Sequence, residues 1–243
     1  MPSHKRGAIA IFVKTPGLSP IKTRLAASIG AGAAERFHLL SAKAIESVVL
    51  RASQEDGALK PYWAVAEKEA LDSPQWNRFQ TIWQGDGGLG ERLCRVYNEL
   101  MRRHSYVLLI GADSPQMTSH LLGESVRILS QAKDAAFVMG RAEDGGFYLF
   151  GGSAPIARDI WLDVSYSAPT TASELANKVK PLGRIKELPL LLDVDTADDL
   201  AKLLRASGED FDLTFEQRAL LKWAQESFFL FGARGTGKTL ARL

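Results

Sequence analysis

The sequence predicts an α/β fold built on a mostly parallel central sheet flanked by helices. Three observations carry this expectation. Strand-like and helix-like runs alternate along most of the chain, the pattern of a sheet whose connections are helices. The segment YVLLIGADSP (106–115) holds a continuous apolar run from Val107 to Ile110, as a strand covered on both faces requires. Ser or Thr stands where helical patterns begin, at Thr118 or Ser119 and at Thr196, where a side-chain oxygen can satisfy a free amide of the first turn.

In chain order, AIAIFV (8–13) reads as the first strand. PIKTRLAASIG (20–30) and the segment 33–53 read as helices, the second with apolar residues at i, i+3, i+4 spacing. PYWAVA (61–66) and RFQTIWQ (78–84) are strands, and GERLCRVYNELMRRH (90–104) is an amphipathic helix. Strand 106–110 leads to a helix over 119–132. Strands 134–140 and 146–152 follow, then a helix over 168–179, an extended stretch 184–195 and a helix over 196–207. This divides the chain into an α/β body, 1–207, and a C-terminal helical tail, 208–243.

Bulk composition narrows the function. With 243 residues, 46% of them apolar, the chain can bury a core without a disulfide or metal staple. The sole cysteine, Cys94, cannot form an internal disulfide; it reads as a small buried residue on a helix, in a reducing compartment. A net charge of +2, spread along the chain, argues against a nucleic-acid or membrane-surface protein. The apolar run 8–13 is too short for a membrane span, so a cytoplasmic location is expected. The four histidines show no zinc spacing and receive no role.

Five segments could carry chemistry. KTPGLSPIKTRL (14–25) follows the first strand and opens a helix, where free amides favour anions. Pro16 and Gly17 set its turn. Lys22 and Arg24 place positive charge at a helix start, a mild conflict that bound phosphates would resolve; two solvated surface cations are the plainer alternative. QGDGGLGERL (84–93) is a glycine-rich loop in which Gly88 and Gly90 could admit a ligand close to the backbone, or a flexible connector. Asp113 in GADSP (111–115) stands beyond a buried strand, where open sheets bind ligands. One or two carboxylates suffice to start a Mg²⁺ site whose other positions go to phosphates and water; an Asp in a Ser-Pro turn is the competing reading. Glu143 and Asp144 precede Gly145 and Gly146, as a base or hydroxyl-binding pair or as hairpin-turn acids. In LLLDVDTADDL (190–200), Asp193 and Asp195 point to the same side of an extended chain. Asp195 could complete a cation site with Asp113, or join an acid cluster that suits a helix N-terminus.

Taken together, VKTPGLSPIKTRL (13–25), GDGGLGERL (85–93), LLIGADSPQM (108–117), AEDGGFYLFGG (142–152) and LDVDTADDL (192–200) resemble the bacterial radical-SAM/selenodomain-associated transferases. These are glycosyltransferase-like proteins of the GT-A, nucleotide-diphospho-sugar transferase superfamily. The first and last motifs are also distantly similar to those of 2-phospho-lactate guanylyltransferase. The resemblance implies a Mg²⁺- or Mn²⁺-dependent transferase that takes a nucleotide-activated donor, most simply an NDP-sugar, and passes it to an acceptor. Nucleotidyl transfer from an NTP to a phosphorylated acceptor is the second reading. By resemblance, Lys14, Pro16, Gly17, Lys22, Arg24, Gly88 and Gly90 bind the nucleotide, and Asp113 and Asp195 hold the metal. Asp144, Gly145 and Gly146 line the acceptor side, with Asp144, Lys22 and Arg24 as the catalytic set. The Leu-Ala-Gly-Gly loop of typical sugar nucleotidyltransferases is reduced here to Pro16-Gly17.

The C-terminus adds a separate signal. Gly232 to Thr239 in SFFLFGARGTGKTLARL (227–243) match the phosphate-cradling loop pattern after a strand-like run, with Lys238 and Thr239 in the phosphate and metal positions. Four residues after Thr239 are too few for the helix this loop needs, so a truncated remnant is expected. A nucleotide- or ATP-binding protein without transferase activity is the alternative of another class.

Overall fold

A computed structural model describes residues 5–206 and 213–235, with side chains through 227. Seven strands form one sheet: β1 (Gly7–Val13), β2 (Leu59–Val65), β3 (Gln80–Trp83), β4 (Tyr106–Gly111), β5 (Ala136–Arg141), β6 (Phe147–Gly152) and β7 (Arg184–Glu187). Their order is β3-β2-β1-β4-β6-β5-β7. Strand β6 runs antiparallel to both of its neighbours, and every other pairing is parallel. The expected mostly parallel sheet is therefore present.

Strand β1 sits near the middle because both of its faces are covered. Ile9 and Ile11 enter one core layer with Ile45 and Val48 of α2 (Ala31–Asp56) and Leu122 of α4 (Ser119–Gln131). Ala8 and Ala10, pointing the other way, enter a second layer with Val96 and Tyr97 of α3 (Leu89–Met101), Trp161 of α5 (Arg158–Leu162) and Leu175 of α6 (Thr171–Val179). Small alanines on the α3 side leave room for the aromatic stack of Tyr97, Phe150 and Trp161, whose centroids lie 5.3–6.1 Å apart. Each such ring contributes roughly 1.5–3 kcal/mol by burial.

A third apolar layer joins the ends of the chain. Leu25 of α1 (Thr23–Ile29) and Phe37 of α2 pack with Leu200 and Leu203 of α7 (Ala197–Ala206) and with Leu220 and Ala224 of α8 (Phe215–Gly235). Trp223 closes this layer against Phe37, ring centroids 6.4 Å apart, beneath the Arg36 guanidinium. The described part of the C-terminal segment thus packs on the body. The caps fall where the sequence places them: Thr118 accepts from Leu121 N at 3.2 Å, and Thr196 and Asp199 cap α7 reciprocally.

Two local expectations change, and one short helix is added. The extended stretch 184–195 is strand only over Arg184–Glu187; beyond it, Leu191 makes a single bridge to Ala142. Helix α5, five residues long, is too short to show a periodic pattern. The strand-like reading of the run at 227–231 is overturned, because α8 continues through it to Gly235. No Pro or Gly interrupts the sequence between Phe215 and Phe231, so nothing stops the helix there. A phosphate loop needs a strand at that point. Residues 236–243, with Lys238 and Thr239, lie outside the described residues.

Candidate active site

The strand order fixes where a ligand can sit. From β1 the chain moves outward to β2 and β3, whereas from β4 it moves the other way, to β6, β5 and β7. The sheet reverses direction between β1 and β4, and the crevice beyond the carboxyl ends of those strands is the usual ligand site of an open α/β sheet. Phe12 and Gly111 are register partners, so Lys14 and Asp113 leave the sheet side by side. The turn between β5 and β6, residues 142–146, opens on the same rim, because β6 starts beside the end of β4. The loop after β3 and the segment leading into α7 reach it too. Gln84 Nε2 donates to Val13 O (3.1 Å) and Ala64 O (2.8 Å), and Val194 N donates to Asp113 O (3.0 Å).

At the centre stands Lys22. Its Nζ lies 2.9 Å from Asp113 Oδ1 and 2.9 Å from Asp195 Oδ1, and it donates to Val194 O at 2.6 Å. The Asp113 contact is an ion pair whose angles are poor for a hydrogen bond, and Oδ1 of Asp113 has no other hydrogen-bond partner. Arg24, exposed to solvent, pairs with the second oxygen of Asp195. The two acids expected to share a cation are therefore brought together, no farther apart than twice 2.9 Å at these oxygens. In this state a lysine ammonium lies between them. The sequence points Lys22 at phosphates from a helix start; instead its side chain is 4% exposed and turned onto the acids. Its backbone, at φ 44° and ψ 50°, occupies the left-handed region at the N-cap of α1.

The electrostatics follow from this cluster. Burial alone would lower the Lys22 pKa, but the facing charges of Asp113, Asp195 and Asp193 outweigh it and raise it. Burial likewise opposes the charge on Asp113, yet the Lys22 ammonium and His38 hold its carboxyl well below the usual range. Asp193 goes the other way. Burial, reinforced by the Asp113 charge, pushes its pKa up to about 7, although Ser114 Oγ donates to its Oδ1 at 2.7 Å. Two positions apart in sequence, the acids at 193 and 195 have opposite surroundings: Asp195 meets two cations, Asp193 a hydroxyl.

Several residues without a sequence-level role hold this arrangement. His38, on the buried face of α2, joins Nε2 to Lys14 O at 2.9 Å and brings Nδ1 within 3.9 Å of Asp113. Ser41, about one turn further along, donates to Ala112 O. Glu67 accepts from Thr15 N at 2.9 Å, and Trp76 Nε1 donates to Thr15 Oγ1 at 3.0 Å, fastening the first loop to the segment after β2. Gln217 of α8 is buried and donates to Pro115 O (2.6 Å) and Met117 O (2.9 Å), fastening the Asp113 loop. The only signal for His38 was its phase on a helix that must cover β1 and β4.

The remaining expected residues fall as follows. Asp144 reaches the rim, but its Oδ1 accepts from Gly146 N at 2.9 Å and it forms no ion pair with a described residue. Gly145 makes that turn possible at φ 89°, and a Cβ there would lie 2.0 Å from Pro169 O. Glu143 reaches Lys202 instead. Gly88 caps α3, its N–H donating to Glu91 at 2.9 Å. The smallness of Gly90 is taken up by packing, since a Cβ there would meet Tyr166 and Trp161 O at 2.6 and 2.8 Å. Lys14 is exposed, and Pro16 and Gly17 form the open turn beside it. Among the described residues, no three His, Cys, Asp or Glu side chains are grouped so as to hold a metal unaided, and no helix is long and apolar enough to cross a membrane.

Sheet order, antiparallel β6 and acid-lined rim define the GT-A-like fold of the nucleotide-diphospho-sugar transferases. The chain belongs to the family described as an uncharacterized protein conserved in bacteria (DUF2064), whose model matches residues 39–168. Among solved structures it is similar to a candidate nucleotide-diphospho-sugar transferase from Desulfovibrio desulfuricans G20, with a TM-score of 0.79 at 21% identity. That match covers 93% of this chain and 97% of the other. A nucleotidyl transferase from Methanothermobacter matches with a TM-score of 0.52 at 14% identity, over 83% and 99% of the two chains. 4-Diphosphocytidyl-2C-methyl-D-erythritol synthase from Anaerococcus prevotii DSM 20548 matches with a TM-score of 0.50 at 11% identity, over 81% and 95%. No curated protein matches the chain.

Proposed function

We propose that the protein is a metal-dependent transferase acting on a nucleotide-activated donor, with an NDP-sugar as the first choice. One observation carries the reading. Asp113 and Asp195, 82 positions apart in sequence, aim oxygens at a single positive centre beside the first loop, at the point where the sheet reverses. The donor set fits Mg²⁺ or Mn²⁺, since both acids are hard oxygen ligands and Asp113 Oδ1 is a buried oxygen satisfied only by a charge. A metal bound there would stabilise the charge on the departing diphosphate.

The chain's own residues supply the rest. Lys14 and Arg24, exposed at the rim, present positive charge to the phosphates. His38 and Glu67 keep the first loop seated, so that its charges need not be ordered as the reaction proceeds. Asp144, on the turn facing the crevice, is the candidate for contact with the acceptor hydroxyl. The donor is a nucleotide-activated small molecule, and the protein works in the cytoplasm.

Nucleotidyl transfer from an NTP is the second reading. It is supported by the likeness to a nucleotidyl transferase. Thermal stability with a ligand panel, with and without Mn²⁺, separates the two. A donor at 100 times its Kd adds about 2.7 kcal/mol. A metal-dependent shift with UDP- or GDP-sugars supports glycosyl transfer, and pyrophosphate release from an NTP supports nucleotidyl transfer. No shift with any nucleotide under either condition would reject both.

A further inference from the structure

We propose that Lys22 is a resident counter-ion: its ammonium fills the cation cradle until a divalent metal displaces it, and it then leaves the acids. This rests on the metal-dependent reading above, and it adds an exchange step that the reading does not require.

The cradle is complete around one nitrogen. Asp113 Oδ1, Asp195 Oδ1 and Val194 O surround Nζ at 2.9, 2.9 and 2.6 Å, the last two accepting hydrogen bonds and Asp113 facing the ammonium as an ion pair. Two carboxylates and a carbonyl are also the ligand types that hard divalent cations select. The oxygens stand at ammonium distances, and Mg²⁺ would draw them in to about 2.1 Å. An ammonium and a divalent ion cannot share this space, because both would need the same three oxygens and two positive centres within a few ångströms repel. Metal entry therefore requires Lys22 to go.

The backbone is prepared for departure. Lys22 sits in the left-handed region, which disfavours a non-glycine residue. From that conformation the side chain makes its three contacts at Nζ. The chain just before it carries Gly17 at φ 83°, where even an added Cβ would meet nothing within 4 Å, and an exposed Leu18, so the preceding loop has room to follow. Arg24 stays on Asp195 and keeps that acid partly neutralised throughout.

The exchange makes two expectations that a plain phosphate-binding lysine does not. In the wild-type protein, an amine-acylating reagent read by peptide mass spectrometry should barely label Lys22 in EDTA, since its side chain is 4% exposed, and should label it severalfold more in Mn²⁺ alone. Lys43, 45% exposed and away from the rim, is the internal reference. In the Lys22→Gln variant, Mn²⁺ without nucleotide should bind about tenfold more tightly than in wild type, a difference of about 1.4 kcal/mol. Manganese electron paramagnetic resonance measures this directly. If Mn²⁺ binds the wild type while Lys22 labelling stays flat, and the variant binds Mn²⁺ no more tightly, the exchange is wrong and the metal reading survives. If no Mn²⁺ binds with or without a nucleotide diphosphate, both fall. Should Lys22→Gln not fold, the wild-type labelling decides alone.

Discussion

Lys22 and Asp195 meet at 2.9 Å although 173 residues separate them in sequence. Their contact ties the loop after the first strand to the segment entering α7, so the two ends of the sheet-bearing body close on one site. Asp195 also takes Arg24, and its removal leaves one buried and one exposed cation without their shared partner. Asp195→Ala is expected to cost about 2–4 kcal/mol, toward the lower end because Asp195 is itself 24% exposed. Urea unfolding measures this, and a loss under about 0.5 kcal/mol would mean the pair does not hold the loop.

Asp193 gives a pH signature. Its folded pKa, pushed up to about 7, lies above the ordinary carboxylate value near 3.8. Between about pH 4 and pH 7 the unfolded chain releases a proton that the folded protein retains, so stability falls as pH rises through this window. Above pH 7 both states are ionised and the penalty is complete. Asp193→Asn keeps an oxygen for the Ser114 hydroxyl and removes the charge. It should raise stability at pH 8 by about 1 kcal/mol or more, seen as a Tm gain of roughly 2–4 °C per kcal/mol, with little change at pH 4. Parallel Tm–pH curves for variant and wild type would contradict this.

The C-terminal helix bears on the site through one amide. Gln217 Oε1 accepts from Thr214 N at 2.8 Å while Nε2 serves two carbonyls of the Asp113 loop, so every function of the amide is used. Gln217→Glu keeps the acceptor, loses both donors and sets a carboxylate against two carbonyl oxygens. A destabilisation of about 2–3 kcal/mol is expected, together with weaker Mn²⁺ binding. Equal stability and equal metal affinity would detach α8 from the site.

Gly145 tests the turn that carries Asp144. Gly145→Ala must place a Cβ in the left-handed region and 2.0 Å from Pro169 O, so the turn must open. A loss of about 2 kcal/mol or more is expected. Asp144→Ala removes only a local hydrogen bond and should cost about 1 kcal/mol, while sharply lowering transfer to the acceptor. Normal turnover in a folded Asp144→Ala protein would remove Asp144 from the chemistry.

Much of this was legible in the sequence. The apolar run ending at Gly111 marks β4 and puts Asp113 at its mouth, and the alternation of strands and helices requires the other acid segments to end near the same rim. What could not be read was pairing. Lys22 and Arg24 announce positive charge at a helix start, but nothing local says that Lys22 turns inward onto acids far along the chain. The roles of His38, Glu67 and Gln217 could not be read for the same reason: each acts through backbone groups of a loop distant in sequence, and a lone polar residue carries no mark of that partner. Helix α5 is too short to be periodic, and the Phe-rich end of α8 looks like a strand only when the helix before it is ignored.

On the proposed function, Asp113 holds a cation that nucleotide binding requires. The direct measurement is nucleotide-diphosphate affinity by calorimetry with and without Mn²⁺, on wild type and on Asp113→Asn. Metal-dependent binding is expected in the wild type, and its loss in a variant with an unchanged circular dichroism spectrum. A folded Asp113→Asn protein with undiminished Mn²⁺-dependent affinity would contradict it.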